Sequence, residues 1–436
     1  MSGFGAKASR LHCAIMTDDT ADINARLTAA GNKIPSAEVF LPGGRRYEIP
    51  GGLRIPNGVR LRGDGPDSTI LHVPATTIAV GGILSFSGGA GEMYTAGKIQ
   101  DLGIEFDQPD STLREDMIRY VPAIYIEHKY NWEIRNVRLS RAWDGIKIRG
   151  AGGVGAGSGT GRITDVNIGQ FNNGIDIDGP SDAIFIDRVE THWVCGNMTV
   201  NQRSAYGTGG WAMQIGRMDD LHLSNALFFK TGLRFYKSAN GIPSGTLTGV
   251  TLDGITGTAW SLEAGAFSVI GGYTTLSSGT AGKLIEAIRD VVDYRFNSMR
   301  FTAAGVGQTG VNFAQTIGQN SRLSFSNAYW NTGSLNIPVF VVAGTRAQQL
   351  LIQGSRFQCS NNCAQFTAPR ILVTNPAASI NIANNMIQDC GGATKAVFAD
   401  IATDIFGAIT GNIGKGWALK TPPSLVNLKV AHNTFG

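Results

Sequence analysis

The stretch NVRLSRAWDGIKI, residues 136–148, is followed by DVNIGQFNNGIDI, residues 165–177, with the same layout. In each stretch, two apolar residues alternate with polar ones, a bend ending in glycine follows, and two isoleucines then alternate. The bend carries Asp144 in the first copy and Asn173 in the second. Alternation with a period of two is typical of half-buried β-strands, so each copy predicts two short strands joined by a corner.

The same pattern recurs along the chain. Two positions after an apolar residue comes a small polar residue or glycine, and these positions form a column: Asp101, Asn136, Asp165, Arg188 (a loose match), Asn225, Gly254, Asn327, Gly354 and Asn384. Several neighbouring members are 27 to 30 residues apart. Asn, Asp and Gly tolerate the backbone angles of a sharp bend, and stacked Asn side chains can hydrogen-bond along the axis. The spacing predicts an all-β solenoid with three short strands per coil, whereas a propeller needs a repeat of ~40 residues or more.

Composition and charge exclude several classes of function. The 58 glycines and the charged fraction of only 16% favour short strands and tight turns. The net charge is +4, and the basic residues are spread out, which argues against a nucleic-acid partner. No segment approaches ~18 uninterrupted apolar residues, and the N-terminus lacks the apolar core of a secretory signal. We therefore expect neither nucleic-acid binding nor membrane insertion.

The cysteines predict no paired framework. They are Cys13, Cys195, Cys359, Cys363 and Cys390. Cys359 and Cys363 are four residues apart, but no second pair of cysteines or histidines accompanies them at zinc spacing. Buried free thiols are the favoured interpretation, with a local disulfide as the alternative. We expect no metal and no cofactor.

A helix is predicted ahead of the repeats, in DDTADINARLTAAG from residue 18. Ile23 and Leu27 share one of its faces, and Gly31 suits its C-terminal end. Because the end of a solenoid exposes core and strand edges, this helix is expected to cover them. The predicted domains are an N-terminal cap at residues 1–36 and a parallel β-helix at residues 37–436.

The first third of the chain carries motifs of a known group of proteins. They are FGA (4–6), DDT (18–20), LPG (41–43), LRGDG (61–65) and ST (68–69). This stretch resembles the beginning of the pectate-lyase-like right-handed parallel β-helices, which include phage tailspikes and polysaccharide-degrading enzymes. It departs from them where SRLHCAIM (9–16) replaces a Gly-Asp-Gly. The start directly at the capping region is typical of a chain shortened at its N-terminus.

The resemblance implies several properties. Such proteins bind extended glycans along one face of the β-helix. Tailspikes among them are typically homotrimers on the virion tail that cleave or bind a bacterial surface polysaccharide. The resemblance therefore implies a right-handed parallel β-helix with a bacterial polysaccharide as its partner, acting at the cell surface.

Outward residues of successive coils are expected to stack about one strand spacing (~4.8 Å) apart. With the isoleucines inward, the outward residues form two neighbouring columns, Tyr125, Lys147 and Asp176, and Glu127, Arg149 and Asp178. Trp143 and Asp144 lie at the corner just before them. Carboxylates, cations and aromatic rings together predict a sugar-binding groove. The alternative is that the charges only pair with one another, and that Asp144 only shapes the corner.

A second outward column follows the Asn bend. It holds Arg138, Asn167 and Glu190, with Ser140, Gly169 and His192 two positions further on. Glu190, His192 and Trp193 could supply a base beside a sugar platform, or His192 could be a partly buried structural residue. The residues that could extend either groove, or lie at a subunit interface, are Trp211, Arg234 and Tyr236.

Two reactions fit the first groove. Hydrolysis needs two carboxyl groups about 5–5.5 Å or 6.5–9.5 Å apart, which Asp144 with Asp176 or Asp178 could provide. Elimination from a uronic acid needs a base and a cation that neutralises the carboxylate. The residues available for elimination are Lys147, Arg149 and Tyr125. FNNGIDIDG resembles a polygalacturonase coil, but Asn173 occupies the place of that motif's Asp, which argues against pectin hydrolysis.

The predicted function is that of a phage tailspike depolymerase, either a hydrolase or a lyase. Its predicted catalytic residues are Asp144, Asp176, Asp178 and Lys147. Its predicted substrate-binding residues are Tyr125, Glu127, Trp143, Arg149, Glu190, His192 and Trp193. The alternatives are a monomeric bacterial polysaccharide lyase or epimerase, and an adhesion spike that binds glycan without cleaving it.

Overall fold

The computed structural model describes residues 18–33, 37–86, 97–150, 159–179, 182–289, 292–303, 305, 307–315, 320–332, 338–358, 368–388, 396–424 and 426–435. Some sequence predictions lie outside these residues. They concern Cys13, Cys359, Cys363 and Cys390, the motif FGA (4–6), the segment SRLHCAIM and most of residues 150–161, whose glycines and serines predict a loop.

Among the described residues, fourteen short strands form one parallel sheet, called the first face here. They are β3 (Leu53–Ile55), β6 (Leu84–Phe86), β8 (Ile124–Glu127), β10 (Ile146–Arg149), β12 (Ile175–Asp178), β14 (Met213–Ile215), β17 (Leu233–Phe235), β19 (Thr258–Leu262), β21 (Lys283–Ala287), β24 (Thr309–Gln315), β27 (Phe340–Gly344), β30 (Ile371–Val373), β33 (Ala396–Ile401) and β36 (Trp417–Lys420). Ile146 pairs in parallel with Ile124 of the preceding coil and with Ile175 of the following one. The solenoid is therefore a parallel β-helix, as predicted.

The other twenty-four described strands form a second parallel sheet. They are β1 (Glu38–Phe40), β2 (Arg45–Glu48), β4 (Arg60–Arg62), β5 (Thr69–Val73), β7 (Lys98–Phe106), β9 (Glu133–Ala142), β11 (Gly161–Gln170), β13 (Ala183–Thr191), β15 (Met218–Ser224), β16 (Leu227–Phe229), β18 (Pro243–Ile255), β20 (Gly265–Leu276), β22 (Val292–Asn297), β23 (Arg300–Thr302), β25 (Ser321–Ser326), β26 (Tyr329–Asn331), β28 (Gln348–Gln353), β29 (Arg356–Gln358), β31 (Ala378–Ala383), β32 (Met386–Ile387), β34 (Phe406–Thr410), β35 (Ile413–Gly414), β37 (Leu428–Ala431) and β38 (Thr434–Phe435).

A line of left-handed residues bends this second sheet. The predicted column supplies them, with φ between 51° and 60° at Asp101, Asn136, Asp165, Arg188, Asn225, Asn327, Gly354 and Asn384. Short polar residues and glycine adopt this conformation most easily, which explains the composition of the column. The strand segments before the bend form the second face of the β-helix, and those after it form the third face.

The placement of Gly254 in this column is wrong. Ser224 pairs with Thr248, so Gly249, with φ of 64°, is the equivalent of Asn225. Gly254 also has a positive φ, of 61°, but lies further along β18. Two glycines five residues apart in one strand both suit a bend, and only the strand register distinguishes them.

Two helices and one 3₁₀ turn accompany the strands. They are α1 (Thr20–Gly31), α2 (Val200–Ala205) and η1 (Arg114–Asp116). The helix α1 buries Ile23, Leu27 and Ala30 beside β1 and β3, so it covers the first coils as predicted. No helix among the described residues is long and apolar enough to cross a membrane.

The core consists of inward side chains stacked coil upon coil. In the coils at 124–177 these are mainly isoleucines, with Ile146 1% exposed and Ile148 fully buried. Further along, aromatic rings take over: Phe301 stacks on Trp330 with ring centroids 4.2 Å apart. Burial of alternate residues on every strand determines which side chains face solvent.

Two segments leave the coil at the corner between the third and first faces, at residues 107–123 and 192–212. Between them lies a second hydrophobic cluster made of Met117, Trp143, Phe171, Met198, Ala205 and Tyr206. The Gln202 amide donates hydrogen bonds to the carbonyls of Gln108, at 3.3 Å, and Pro109, at 3.0 Å, and so ties the segments together. The two segments form a wall beside the first face.

Candidate functional site

The strand register confirms both predicted columns on the first face. Tyr125, Lys147 and Asp176 are paired in one column, and Glu127, Arg149 and Asp178 in the next. The first column continues with Gln214 and Arg234. We call these eight residues and Asp144 the first-face patch. Its members come from coils that successive strand pairings hold side by side.

Asp144 occupies the corner at the edge of the patch, where it is half-buried. Its Oδ1 accepts hydrogen bonds from the Asn172 amide, at 2.8 Å, and from the Asn173 backbone N–H, at 3.1 Å. Burial raises the pKa of Asp144, and the negative charge of Asp176 adds to this, while the hydrogen bonds and Lys147 act in the opposite direction. A carboxyl group that keeps its proton to higher pH is suited to donate a proton.

Asp176 is a buried member of the patch and is only 6% exposed. The Arg149 guanidinium donates to its Oδ2 and, at 3.1 Å, to its backbone carbonyl. Its Oδ1 is buried and has no hydrogen-bond partner among the described residues. An unsatisfied buried acceptor costs about 1–3 kcal/mol, and native proteins retain few of them, some at catalytic sites.

Asp178 lies near Tyr236, two coils further on, with Gly216 of the intervening coil between them. The Asp178 Oδ1 accepts the Arg217 backbone N–H at 3.1 Å. Burial raises the pKa of Tyr236 to about 12, and the charges of Asp178 and Asp176 contribute to the rise. A Cβ on Gly216 would lie 2.6 Å from the Asp178 Oδ1 and 3.0 Å from the Tyr236 ring. Glycine is therefore required for the carboxylate and the phenol ring to lie this close.

Tyr125 and Glu127 lie at the N-terminal end of the patch, on the coil before Lys147 and Arg149. Burial raises the pKa of Tyr125 to about 12, and the charge and hydrogen bond of Glu127 contribute to the rise. A phenol with this pKa is neutral near pH 7, so Tyr125 can exchange hydrogen bonds with a ligand but is a weak general base.

Trp143 does not present an open sugar platform, which corrects the sequence interpretation. It is 9% exposed and packs in the second hydrophobic cluster. The guanidinium groups of Arg114 and Arg119 lie 4.7 and 5.3 Å from the ring centre. Arg114 also donates to the Phe171 carbonyl at 2.7 Å and to the Asn172 Oδ1 at 2.5 Å.

Trp143 and Arg114 thus hold the wall in place, and Arg114 orients the amide that binds Asp144. Sequence reasoning missed Arg114. It lies 58 residues before Asn172 in a segment without repeat pattern, so no local signal connects the two.

The predicted second site lies elsewhere. Glu190 pairs with Asn167 on the third face, beyond the corner from the patch. The His192 Nδ1 accepts the Val194 N–H at 2.9 Å, and burial lowers the pKa of His192. Its ring lies 4.7 Å from Trp193 and 4.4 Å from Phe229. The geometry matches the alternative interpretation of His192, a neutral packing residue.

The other members of this second site have partners of their own. The Trp193 ring lies 4.1 Å from the Arg203 guanidinium. Burial raises the pKa of the free Cys195 thiol to about 12, and Glu190, which hydrogen-bonds to it, contributes to the rise. Among the described residues, no group of three or more His, Cys, Asp or Glu side chains is placed to hold a metal ion.

No family model matches the chain, and no curated protein matches it.

Solved structures do match. Tailspike protein 3 of bacteriophage CBA120 is 12% identical with a TM-score of 0.53, and the match covers 95% of this chain and 61% of that one. A double mutant of the tailspike of E. coli bacteriophage HK620 is 9% identical with a TM-score of 0.57, covering 95% and 75%. A variant catalytic domain of a GH87 alpha-1,3-glucanase in complex with nigerose is 12% identical with a TM-score of 0.51, covering 83% and 67%.

The chain spans about three fifths of the length of the CBA120 tailspike. At these identities the likeness concerns the fold. The chain has the parallel β-helix fold of these phage tailspikes, as the resemblance of its first third predicts.

Proposed function

We propose that the chain is a phage tailspike depolymerase that binds a bacterial surface polysaccharide on its first face and hydrolyses it there. One observation carries the proposal. Burial raises the pKa of Asp144 and the charge of Asp176, on the next coil, adds to the rise, yet the surroundings of the two carboxyl groups differ. Asn172 and Asn173 bind Asp144, whereas the Arg149 guanidinium binds Asp176. Two carboxyl groups in unlike environments are the usual basis of glycoside hydrolysis.

The reaction follows from these environments. Asp144 donates its proton to the glycosidic oxygen as the bond from that oxygen to the anomeric carbon breaks. A water molecule adds to the anomeric carbon, and Asp176, which the Arg149 guanidinium holds in place, takes the proton that this water loses. Tyr125, Asp178 and the neighbouring Tyr236 bind the sugars on either side of the broken bond.

Elimination fits the patch less well. It needs a cation free to neutralise a uronate, but the Arg149 guanidinium is bonded to Asp176. It also needs a base, and the pKa values of Tyr125 and Tyr236 are both raised to about 12. Lys147 remains the one catalytic candidate for that reaction. In hydrolysis the positive charge of Lys147 instead lowers the pKa of Asp144.

The setting of the reaction is part of the proposal. The solved structures with this fold include two phage tailspikes and a glucanase bound to nigerose, which supports a glycan ligand. We place the protein on a virion tail as a homotrimer, acting at the bacterial surface.

The test is incubation of the purified protein with capsule, O-antigen and exopolysaccharide preparations from a panel of bacteria. We expect one polymer to shorten on size-exclusion chromatography, with new reducing ends and no ultraviolet absorbance of unsaturated uronate. Shortening with that absorbance would identify a lyase instead. Binding to a polymer without shortening would identify a non-catalytic adhesion spike.

A further inference from the structure

A cavity of about 710 Å³ lies beside the first-face patch. It opens at the corner between the third and first faces, where residues 204–211 meet residues 230–232 and 256–258. Pockets for small ligands usually measure about 300–1,000 Å³, so the cavity has room for a saccharide unit. None of the catalytic candidates of the proposed function lines it.

The lining has the chemistry of a sugar site. It combines the half-buried ring of Trp211 with hydroxyl groups from serine and threonine, Thr256 and Thr258 among them. Among the lining residues that the structure describes, Lys230 is the single charged one, and no carboxylate accompanies it. An aromatic face, several hydroxyl groups and one cation suit a sugar that carries a negative charge.

Close packing of glycines maintains the shape of the cavity. A Cβ on Gly210, whose φ is +75°, would lie 2.1 Å from the Asn172 carbonyl oxygen, and one on Gly232 would lie 2.1 Å from that of Thr258. Larger residues cannot occupy these positions without displacing the backbone. At these two positions the cavity is therefore bounded by main chain in direct contact.

The cavity wall is hydrogen-bonded to the candidate acid. The Trp211 backbone N–H donates to the Asn173 Oδ1 at 3.1 Å, and the Asn173 N–H donates to the Asp144 Oδ1 at 3.1 Å. Asn173 is the one residue between Trp211 and Asp144 in this chain of hydrogen bonds. A glycan bound in the cavity can therefore extend past Asp144 onto the first face.

We propose that this cavity binds one acidic saccharide unit, with Trp211 against the sugar ring and Lys230 paired with its carboxylate. The inference rests on the proposed function and deepens it, because it makes an acidic polysaccharide the substrate. A unit held in the cavity fixes the position of the chain on the first face.

The test is a ligand-observed NMR titration of the intact protein with glucuronic, galacturonic and N-acetylneuraminic acids, and with glucose and galactose as neutral counterparts. We expect at least one acid to bind more tightly than the neutral sugars. Trp211→Ala should weaken that binding about tenfold, the effect of one lost aromatic contact. Lys230→Met should remove the preference for the acid. Tyr329→Ala, on the third face away from the cavity, is the matched control and should bind as the wild type does.

Thr258→Val keeps the shape of its side chain, so it carries the test if Trp211→Ala does not fold, and it should also weaken binding. The inference is overturned if no acid binds, if the neutral sugars bind equally well, or if the cavity variants bind like the wild type. Titration needs no turnover, so it separates the two proposals. Saccharide binding without depolymerisation would leave the cavity assignment standing while the proposed hydrolysis fails.

Discussion

Burial raises the pKa of Asp144, and the carboxylate of Asp176, on the next coil of the β-helix, adds to this rise. Each carboxyl group has its own partners, with two asparagines binding Asp144 and Arg149 binding Asp176. Two carboxyl groups in such different surroundings can divide the roles of acid and base between them.

Replacing either carboxyl group should abolish most of the activity. We expect Asp144→Asn and Asp176→Asn each to lower kcat on the cleaved polysaccharide by at least ~10²-fold, the usual contribution of one acid or base group. Reducing-end release measures the loss.

The matched control for both variants is Asp165→Asn. Asp165 is exposed at the bend between the second and third faces, where its φ of 55° also suits asparagine. This variant should keep wild-type turnover. Unchanged turnover in both Asp144→Asn and Asp176→Asn would place the chemistry outside the first-face patch.

Lys147→Met should shift the pH profile. The Lys147 charge lowers the pKa of Asp144, so its removal raises that pKa. Since the acid must be protonated to react, the alkaline limb of kcat/KM should move to higher pH. Lys420→Met, at the far end of the first face, removes an equal charge and should leave the limb in place. A shift to lower pH would contradict the role of Asp144 as the acid.

Asp144→Asn should also stabilise the protein near neutral pH. The folded-state pKa of Asp144 lies above the ordinary aspartate value of 3.8. The stabilising contribution of the protonated carboxyl is complete below that value and is lost as the pH rises through the raised pKa. Asparagine still accepts both hydrogen bonds and never ionises. In thermal unfolding, the Tm of Asp144→Asn should therefore exceed that of the wild type at pH 7. The two Tm values should become equal below pH ~3.8. An advantage that grows in acid would refute this assignment.

Arg149→Met should destabilise the fold more than a surface substitution does. The Asp176 side chain is 8% exposed, and that of Arg149 is 24% exposed. Removing one partner of a buried ion pair leaves the other charge without compensation, at a cost of about 3–5 kcal/mol. The urea midpoint should fall accordingly.

The double variant Arg149→Met with Asp176→Asn supplies the control. It removes both charges, so most of the lost stability should return. If the double variant is as unstable as Arg149→Met alone, the loss comes from packing of the arginine stem and not from the unpaired carboxylate.

The repeat pattern alone was sufficient to predict the coils, the inward isoleucines and both outward columns of the patch. The reason is local: a period of two assigns each residue a face, and equal spacing stacks one coil on the next. The same local pattern placed Gly254 in the column of bends, because a suitable residue type does not define a strand register.

Other features depended on segments that leave the repeat. The wall that buries Trp143, the Arg114 contact that orients Asn172, and the cavity beside Trp211 join residues far apart in the chain. The sequence by itself therefore determined the β-helix and the residues on its first face. Only the tertiary structure decided which of these residues lie close together. The burial and the neighbouring charges that give Asp144 and Asp176 different surroundings arise from the packing of adjacent coils and inserted segments.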